Sequence, residues 1–447
     1  MSLPPGFLDE LRDRLTLSDV VGRKVSWDRR KSNPARGDWW ASCPFHQEKT
    51  PSFHVEDRKG FYYCFGCQAK GDAITFVKET ENLSFMEAVE RLAGEAGLEM
   101  PARRHDPEAE ARRGREARLL EAMEEAVRLF GRAFRGGGGQ AARDYARGRG
   151  LSDDTLRRFE IGFAPDSRTA LAEHFRNAGR LDEAVEAGLV IRPDEGGATY
   201  DRFRNRLMFP IRDGRGRCIA FGGRALSPEA RAKYLNSPET PLFHKGRTLY
   251  NMGPAREAAG KAGRLIVAEG YMDVIALVEA GFEAAVAPLG TAITEEQLAL
   301  LWRMAPEPVI ALDGDAAGLR AAHRLIDLAL PRLGPGRSLG FCLLPQGKDP
   351  DDILRDGGRA AMEALLGDAL PLVEMLWRRE AEATPLDTPE RRAALRARLS
   401  EATGRIGDPV LRRFYEDGFA RRMRELFWRL DRPAGARAGR EIGRASC

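Results

Sequence analysis

Four residues near the start of the chain have the types and spacing of metal ligands. They lie in the stretch CPFHQEKTPSFHVEDRKGFYYCFGC, where two residues separate Cys43 from His46 and two residues separate Cys64 from Cys67. Each such pair makes a tight turn that directs two ligand atoms at one ion, and two pairs complete the tetrahedral coordination of Zn²⁺. The spacing therefore predicts one structural zinc ion in a zinc ribbon whose strands are FHV and GFYYCF. The alternatives are chance clustering of the four residues and a disulfide pair, against which the reducing environment of a cytosolic chain argues.

A zinc ion with four protein ligands has no open position for catalysis, so the predicted ribbon is a structural and binding unit. Its aromatic residues lie beside Arg58, Lys59 and Lys70, a combination that suits stacking on single-stranded bases. Alternatively, at least two of the aromatic residues 61–63 form the small core of the ribbon. His54 has no partner at ligand spacing, so we assign it to packing or to nucleic-acid contact.

A second set of candidate ligands consists of carboxylates that follow apolar runs. Glu269 follows LIVA, Asp313 and Asp315 follow VIAL, and Asp349, Asp351 and Asp352 follow FCLLP. The carboxyl ends of parallel strands meet at the ligand-binding edge of an open α/β sheet, and carboxylates that converge there repel one another unless cations separate them. Hard oxygen ligands suit Mg²⁺ or Mn²⁺, and two such ions can serve a phosphoryl transfer. The alternative for each carboxylate is a helix N-cap or a turn, and one of the pair Asp313 and Asp315 could be such a cap.

Alternating strands and helices must position these carboxylates. From residue 262 the segments RLIVAEGYMDVIALVEAG, AAVAPLGTAITEEQLALL and PVIALDGDAAGLRAAHRLIDLAL each have the pattern of a strand, a turn and a helix, and SLGFCLLPQGKDPDDIL adds a strand. This alternation predicts a parallel α/β sheet. Upstream, RLMFPIRD and RCIAFGGRAL joined by DGRG predict a β-hairpin, and a helix is expected near 117–134.

Composition and charge fit a folded, multidomain protein. The 447 residues are 43% hydrophobic and 31% charged, which predicts two to four domains. The sequence has neither a run of 18 apolar residues nor a signal-peptide pattern at its start, so we expect a cytoplasmic location. Residues 201–250 hold eleven Lys or Arg against four Asp or Glu, which indicates either a polyanion-binding surface or a solvated basic face.

Together these motifs closely resemble the DnaG-type bacterial DNA primases, from about residue 5 to 430. The resemblance rests on CPFH…CFGC, RFRNRLMFPIRDGRGRCIAFGGRAL, KYLNSPETPLFHKGRTLYN, AEGYMDVIAL, ALDGDAAG and LPQGKDPDD. The last three are similar to the TOPRIM metal-binding core that topoisomerases and some nucleases share, whereas the second and third are specific to primases.

The resemblance implies a nucleotidyltransferase that makes short RNA primers on single-stranded DNA for chromosomal replication, from ribonucleoside triphosphates. It implies two or more catalytic Mg²⁺ or Mn²⁺ ions held by Glu269, Asp313, Asp315, Asp349 and Asp351, with Asp352 at a position where the family often has another acid. Arg202, Arg224, Lys233 and Lys245 match basic positions that face triphosphate or template. In the same motif Asn236 and Ser237 are expected to shape the groove. The zinc ribbon is expected to bind the template and help choose the start site.

The expected fold is multidomain α/β. We assign residues 1–100 to the zinc ribbon domain, 101–115 to a flexible linker, 116–261 to a mixed α+β basic subdomain, 262–356 to a TOPRIM parallel α/β subdomain, 357–431 to a helical subdomain and 432–447 to a disordered tail. We expect a monomer at the replisome with the replicative helicase as a partner. No helicase-docking domain is visible before the chain stops at Cys447, so we expect either a truncated chain or a reduced helicase contact.

The same motifs have two alternative functional interpretations. A TOPRIM nuclease or topoisomerase-like enzyme would share the carboxylates but has no need of KYLNSPET…FHKG, and Tyr271 lies inside the metal motif, where a nucleophilic tyrosine is not expected. A catalytically silent DNA-binding adaptor would have no use for the full set of carboxylates.

Overall fold

A computed structural model of the chain describes residues 3–4, 6–46, 50–81, 83–101, 107–290 and 292–431. The chain divides into two compact units, Met1–Pro107 and Glu108–Cys447. The predicted tail 432–447 and residues 102–106 of the predicted linker lie outside the described residues. Among the described helices, none is long and apolar enough to span a membrane.

The first unit is a small antiparallel sheet covered by helices. Its helices are α1 (Phe7–Arg14), α2 (Leu17–Val21), α3 (Ala73–Glu81) and α4 (Phe85–Glu95), and its strands, in sheet order, are β1 (Asp38–Ala41), β2 (Phe53–Glu56), β3 (Phe61–Cys64) and β4 (Lys70–Gly71). Strands β2 and β3 confirm the two predicted ribbon strands. Phe53, Val55 and Tyr62 are buried against the helices, because alternate residues of a strand point to the same face.

The linker prediction is wrong for residues 107–115, which form the first turns of helix α5 (Pro107–Arg135). The segment lacks apolar residues, but it consists largely of Ala, Glu and Arg, which are strong helix formers. It also continues into a stretch whose Leu119, Ala122 and Met123 are buried. Tertiary packing of that stretch anchors a helix that extends back through the charged residues.

The second unit begins with a mixed α+β region. After α5 come α6 (Gln140–Gly148), α7 (Asp153–Arg158), β5 (Gly162–Ala164), α8 (Ala170–Asn177), α9 (Leu181–Glu186), β6 (Val190–Ile191), β7 (Tyr200–Asp201), β8 (Arg206–Arg212), β9 (Cys218–Ala225), β10 (Tyr234–Asn236) and α10 (Met252–Ala262). The main sheet has the order β10-β9-β8-β5 and is antiparallel, and β6 pairs with β7. Strands β8 and β9 confirm the predicted hairpin.

The carboxylate motifs lie on a second sheet in the same unit. Its strands and helices are β11 (Ile266–Val267), α11 (Tyr271–Glu279), β12 (Ala285–Val286), α12 (Glu295–Met304), β13 (Val309–Leu312), α13 (Ala316–Ala329), β14 (Gly340–Leu343), α14 (Pro350–Gly367) and β15 (Leu370–Pro371). The order is β12-β11-β13-β14-β15, and all pairs except β14 with β15 are parallel. The strand that follows β11 in the chain, β12, lies on one side of it, and the next strand, β13, lies on the other side. Sheets of this kind bind ligands where the strand order reverses in this way, which here is between the carboxyl ends of β11 and β13.

Three helices complete the second unit: α15 (Leu372–Ala381), α16 (Pro389–Gly404) and α17 (Pro409–Leu430). Leu372, Met375 and Leu376 of α15 are buried in one cluster with Phe341 of the sheet and Leu399 of α16. The predicted helical character of 357–431 is therefore confirmed, and these helices share a core with the parallel sheet.

Candidate active site and zinc centre

The four predicted zinc ligands converge in the first unit. The ligand atoms of Cys43, His46, Cys64 and Cys67 all lie within 4.8 Å of one another. Cys43 Sγ is 3.8 Å from Cys67 Sγ, close to the edge of roughly 3.7 Å expected for a tetrahedron with zinc–sulfur distances of about 2.3 Å. The separation is far longer than a disulfide bond of about 2.05 Å. The donor set and its dimensions fit a structural zinc ion.

Backbone amides fix the two turns that carry these ligands. The Phe45 amide donates to Cys43 Sγ at 3.4 Å, and the Cys67 amide donates to Cys64 Sγ at 3.4 Å. Burial raises the pKa of Cys43 to about 12. Zinc, which binds thiolates, must therefore displace a proton from this buried thiol when it binds.

The predicted carboxylates gather at the carboxyl edge of the parallel sheet. Glu269 follows β11 and accepts a hydrogen bond at Oε1 from the Asp313 amide, 3.1 Å away, at the end of β13. Gly314 allows the turn to pass this close to the next strand, because an added Cβ would lie 2.1 Å from the Pro345 carbonyl oxygen. Glycine at this position brings the end of β13 beside the loop that leads to Asp349.

Two of these carboxylates also cap helices, as the alternative interpretation proposed. Asp315 Oδ1 accepts from the Ala317 and Gly318 amides at 2.8 Å and 2.7 Å at the start of α13. Asp349 Oδ1 accepts from the Asp352 amide at 2.7 Å at the start of α14. Capping fixes the position of these two carboxylates.

The cluster carries unbalanced negative charge. Burial, followed by repulsion from Glu269 and Asp349, raises the pKa of Asp313 to about 7. Asp313 Oδ1 is buried without a hydrogen-bond partner among the described residues. Buried polar atoms are nearly always paired, so an orphaned carboxylate oxygen among like charges fits a bound divalent cation.

Asp273 belongs to this cluster and was missed by the sequence reasoning. It is buried on the first turn of α11, where its Oδ2 accepts from the Gly270 amide at 2.9 Å. Burial, followed by repulsion from Asp349 and Asp313, raises its pKa to about 8. The available signal was its position three residues after Gly270, where an acidic side chain accepts a hydrogen bond from the backbone at the start of a helix.

Asp351 is held differently from Asp313. Its side chain is only 3% exposed, and it forms an ion pair with Arg149. Arg149 Nη1 lies 3.2 Å from Asp351 Oδ2, and Arg355 Nη1 lies 3.9 Å from the same atom. Burial raises the pKa of Asp351, and the charge of Arg149 opposes this effect. Asp352 forms an ion pair with Arg355. Arg149, which follows α6, therefore connects the mixed region to the carboxylate cluster.

Arg224 lies in an aromatic setting beside this connection. Its guanidinium carbon is 4.3 Å from the Tyr145 ring centroid and 5.8 Å from that of Tyr234, which is 37% exposed. Lys233 is exposed with Nζ 5.9 Å from the Tyr234 ring centroid. Burial raises the pKa of Tyr145, and the charges of Arg224 and Arg149 oppose this effect. Burial also raises the pKa of Tyr234, and the charge of Arg224 opposes it. The structure thus groups two predicted basic residues with two tyrosines close to the carboxylates.

Of the other two predicted basic residues, Arg202 has a side-chain partner within the protein, and Lys245 is held through its backbone. Arg202 donates from Nε and Nη2 to the Asn236 carbonyl at 3.1 Å and 2.8 Å. The backbone amide of Lys245 donates to Glu239 Oε1 at 3.0 Å. Lys245 is the first residue of a short 3₁₀ turn, and it is half-buried. The Ser237 hydroxyl is buried and accepts from the Phe221 amide. Arg202 and Ser237 thus support the end of β10 through hydrogen bonds to backbone atoms.

Tyr271 joins the two sheets of the second unit. Its hydroxyl donates to Asn236 Oδ1 at 2.7 Å, and the Asn236 amide group donates to the Leu289 carbonyl at 2.9 Å. Its ring stacks on Phe209 and occupies the space above Gly222, where an added Cβ would lie 2.4 Å from Tyr271 Cζ. Gly222 of CIAFGGRA therefore makes room for Tyr271, the residue that follows Glu269-Gly270.

Four protein families match successive parts of the chain. They are described as CHC2 zinc finger for residues 3–108, DNA primase catalytic core, N-terminal domain, for 130–256, Toprim domain for 263–335, and DnaB-helicase binding domain of primase for 373–424. Our expectation that no helicase-docking segment is visible was wrong, because residues 373–424 match such a family. Charged helices that pack on a core and helices that bind a partner have the same sequence pattern, which is why periodicity did not separate them.

Curated and solved relatives extend the likeness to most of the chain. A DNA primase of Pseudomonas putida is 43% identical over 406 residues, which are 89% of this chain and 60% of that protein. The chain therefore spans about three fifths of that relative. A DnaG primase catalytic domain solved with ssDNA is 38% identical, covering 69% of this chain and 97% of that one, with a TM-score of 0.65. The zinc-binding and RNA polymerase domains of the Aquifex aeolicus primase are 30% identical, covering 93% and 95%, with a TM-score of 0.58.

Proposed function

The chain belongs to the DnaG-type bacterial DNA primase family, and from this premise we propose that it is a DNA-dependent RNA polymerase that makes short primers on single-stranded DNA. The observation that carries the proposal is the cluster of carboxylates at the edge of the parallel sheet, beside the Arg224 and Tyr234 surface. An electrostatically unbalanced site of this kind suits a triphosphate with its cations.

In the proposed site, Glu269, Asp313, Asp315, Asp349 and Asp351 hold two or more Mg²⁺ or Mn²⁺ ions. Bound cations of this type neutralise phosphate charge and favour attack of a 3′-hydroxyl on an α-phosphate. The protein residues supply position: Gly314 sets the turn, the caps fix Asp315 and Asp349, and Arg149 holds Asp351. We add Asp273 as a buried carboxylate that supports the cluster.

Arg224 and Lys233 are the basic residues whose surroundings best fit contact with triphosphate or template. Both lie beside tyrosine rings, and a guanidinium or ammonium group held there keeps donors available for phosphate oxygens. Arg202 and Lys245 are proposed for the same contact; Arg202 would use Nη1, because its Nε and Nη2 donate to the Asn236 carbonyl.

The zinc unit is proposed to bind the template and to influence where synthesis starts. The relative solved with ssDNA is a catalytic domain, so this role for the zinc unit rests on the family alone. A helicase contact through residues 373–424 and a cytoplasmic location at the replication fork are proposed on the same basis.

Primer synthesis on single-stranded DNA tests the proposal. Wild type, Asp313→Ala and the surface variant Leu319→Ala are incubated with labelled ribonucleoside triphosphates and Mg²⁺ or Mn²⁺. We expect short RNA from wild type and Leu319→Ala and none from Asp313→Ala. Nicked DNA in place of RNA would favour the TOPRIM nuclease, and the absence of both products, with or without added helicase, would contradict a polymerase.

A further inference from the structure

Tyr145, a residue of α6 that no motif contains, lies next to two arginines of the carboxylate edge. The guanidinium carbon of Arg224, on β9, is 4.3 Å from the Tyr145 ring centroid. Arg149 follows Tyr145 by four residues and pairs through Nη1 with Asp351 Oδ2 at 3.2 Å. The half-buried ring of Tyr145 also packs against the apolar core of the second unit. The core therefore fixes a ring that contacts a cation of the other sheet.

Arg224 depends on this ring for its position. Among the residues that the structure describes, Arg224 forms no ion pair, and its buried Nε has no hydrogen-bond partner. Tyrosine rings hold it instead, Tyr145 at 4.3 Å and Tyr234 at 5.8 Å. Arg206, on the neighbouring strand β8, provides the contrast, because its guanidinium donates to two backbone carbonyls. Contact with a ring face orients a guanidinium and leaves its N–H groups available to a ligand.

Unpaired polar atoms surround the same ring. The Tyr145 hydroxyl, Arg149 Nε and Arg224 Nε are buried and have no hydrogen-bond partner within the described part of the chain. Buried polar groups are nearly always paired, so three unpaired ones in one place reduce stability and indicate an arrangement for a ligand. Since no described carboxylate pairs with Arg224, the ligand that fits is an anion.

The position of these residues indicates which anion this is. Contacts connect Arg224 through Tyr145 and Arg149 to Asp351, one of the carboxylates proposed to hold cations. In a nucleotidyl transfer those cations lie on the triphosphate. A phosphate of the triphosphate is therefore expected at this edge of the sheet, within reach of Arg224.

We propose that Tyr145 is a positioning residue whose ring directs Arg224 at the triphosphate. The inference rests on the proposed function, because that function supplies the triphosphate and its cations. Tyr145 acts through Arg224 and has no contact of its own with the ligand. The role belongs to the ring, so the unpaired hydroxyl is dispensable.

Equilibrium binding of ATP in Mg²⁺ to the full-length chain tests the proposal. Tyr145→Leu should raise the dissociation constant about fivefold, because the cation–ring contact is lost. Tyr145→Phe keeps the ring and should bind ATP as wild type does. In primer synthesis, Tyr145→Leu should raise KM for ATP by a similar factor and leave kcat nearly unchanged, since the contact is made equally in the bound state and the transition state.

A double-mutant cycle with Arg224→Ala separates positioning from a structural role. Because Tyr145 acts through Arg224, Tyr145→Leu should have no further effect on ATP binding once residue 224 is alanine. Urea unfolding without nucleotide shows whether each variant is folded. An equal loss of ATP affinity in both backgrounds, or the same loss in a folded Tyr145→Phe, would overturn the proposal.

Phe427→Leu is the matched control, since Phe427 is also a half-buried ring beside a guanidinium, that of Arg392 at 5.3 Å, but lies in α17. It should bind ATP as wild type does. Binding of single-stranded DNA is measured in parallel: if Tyr145→Leu loses DNA and retains ATP, the assignment to the triphosphate is wrong. Primer synthesis is scored separately, and ATP binding that depends on Tyr145 without any RNA product would refute the polymerase and leave the positioning role standing.

Discussion

Replacing Asp313 by asparagine should stabilise the second unit at high pH and not at low pH, provided that divalent cations are absent. The pKa of Asp313 is raised from 3.8 to about 7 by burial and by its carboxylate neighbours. A raised carboxyl pKa means that protonation stabilises the folded state. That contribution is complete below the ordinary value near 3.8 and is lost as pH rises through about 7.

The size of the effect follows from the same change in proton affinity. Three tenfold steps at about 1.4 kcal/mol each give roughly 4 kcal/mol for a fully shielded group. Asp313 is only half-buried, and solvent screening reduces the expected gain in unfolding free energy to about 1–2 kcal/mol near pH 8. Near pH 5 the carboxyl is largely protonated in the folded state but already ionised in the unfolded chain, so we expect less than half of that gain, and almost none below about pH 3.8.

Urea unfolding in Mg²⁺-free buffer, with zinc retained, measures this difference for the transition of the second unit. Asp315→Asn is the control, because it lies in the same motif and asparagine remains a good N-cap. Adding Mg²⁺ should stabilise wild type and not Asp313→Asn. Equal effects at both pH values, or an equal effect of Asp315→Asn, would refute the electrostatic reasoning.

Three further predictions, one of them with a control substitution, concern the framework of the second unit and the zinc ligands. Arg149→Ala should lower the unfolding free energy of the second unit by about 3 kcal/mol, because it leaves the buried Asp351 carboxylate with only the longer 3.9 Å contact to Arg355; a change below about 1 kcal/mol in urea unfolding would contradict this. Gly222→Ala should cost about 1–3 kcal/mol by collision with the Tyr271 ring, whereas Gly418→Ala, in open space on α17, should be stabilising in the same assay. Cys64→Ala should abolish zinc binding, measured by metal analysis, and melt the first unit, while the thermal transition of the second stays in place; retained stoichiometric zinc would argue against the ligand assignment.

Most of the site could be predicted from local patterns in the sequence. The zinc ligands are two pairs with fixed spacing, and the carboxylates follow apolar strands, so both sets depend on short-range geometry. The hairpin of β8 and β9 is visible for the same reason. Residues whose importance depends on distant partners were not readable. Asp273 lies in YMDVIAL, whose apolar pattern indicates a core helix, and Arg149 is one arginine among many until the fold brings it to Asp351.

Burial also changed the meaning of some residues that the sequence did identify. Arg202 was predicted to face a triphosphate or template, yet its donors are directed at the Asn236 carbonyl. In the helical subdomain, the sequence predicted the structure but not the match to a helicase-binding family. The charge and periodicity of a sequence indicate which side chains can face solvent, but they do not indicate which partner a side chain contacts.

The position of Tyr271 explains how the second unit can sustain a destabilising cluster of like charges. Glu269, Gly270 and Tyr271 are consecutive, so the backbone that places a carboxylate at the sheet edge also places an anchoring ring two residues later. That ring stacks on Phe209 and is bonded to Asn236, which fixes the carboxylate edge against the sheet that carries Arg224. Electrostatic repulsion near Asp313 is thereby opposed by apolar packing a few residues away. The geometry of the cluster depends on this junction, which sets the position of the carboxylates relative to the sheet that carries Arg224.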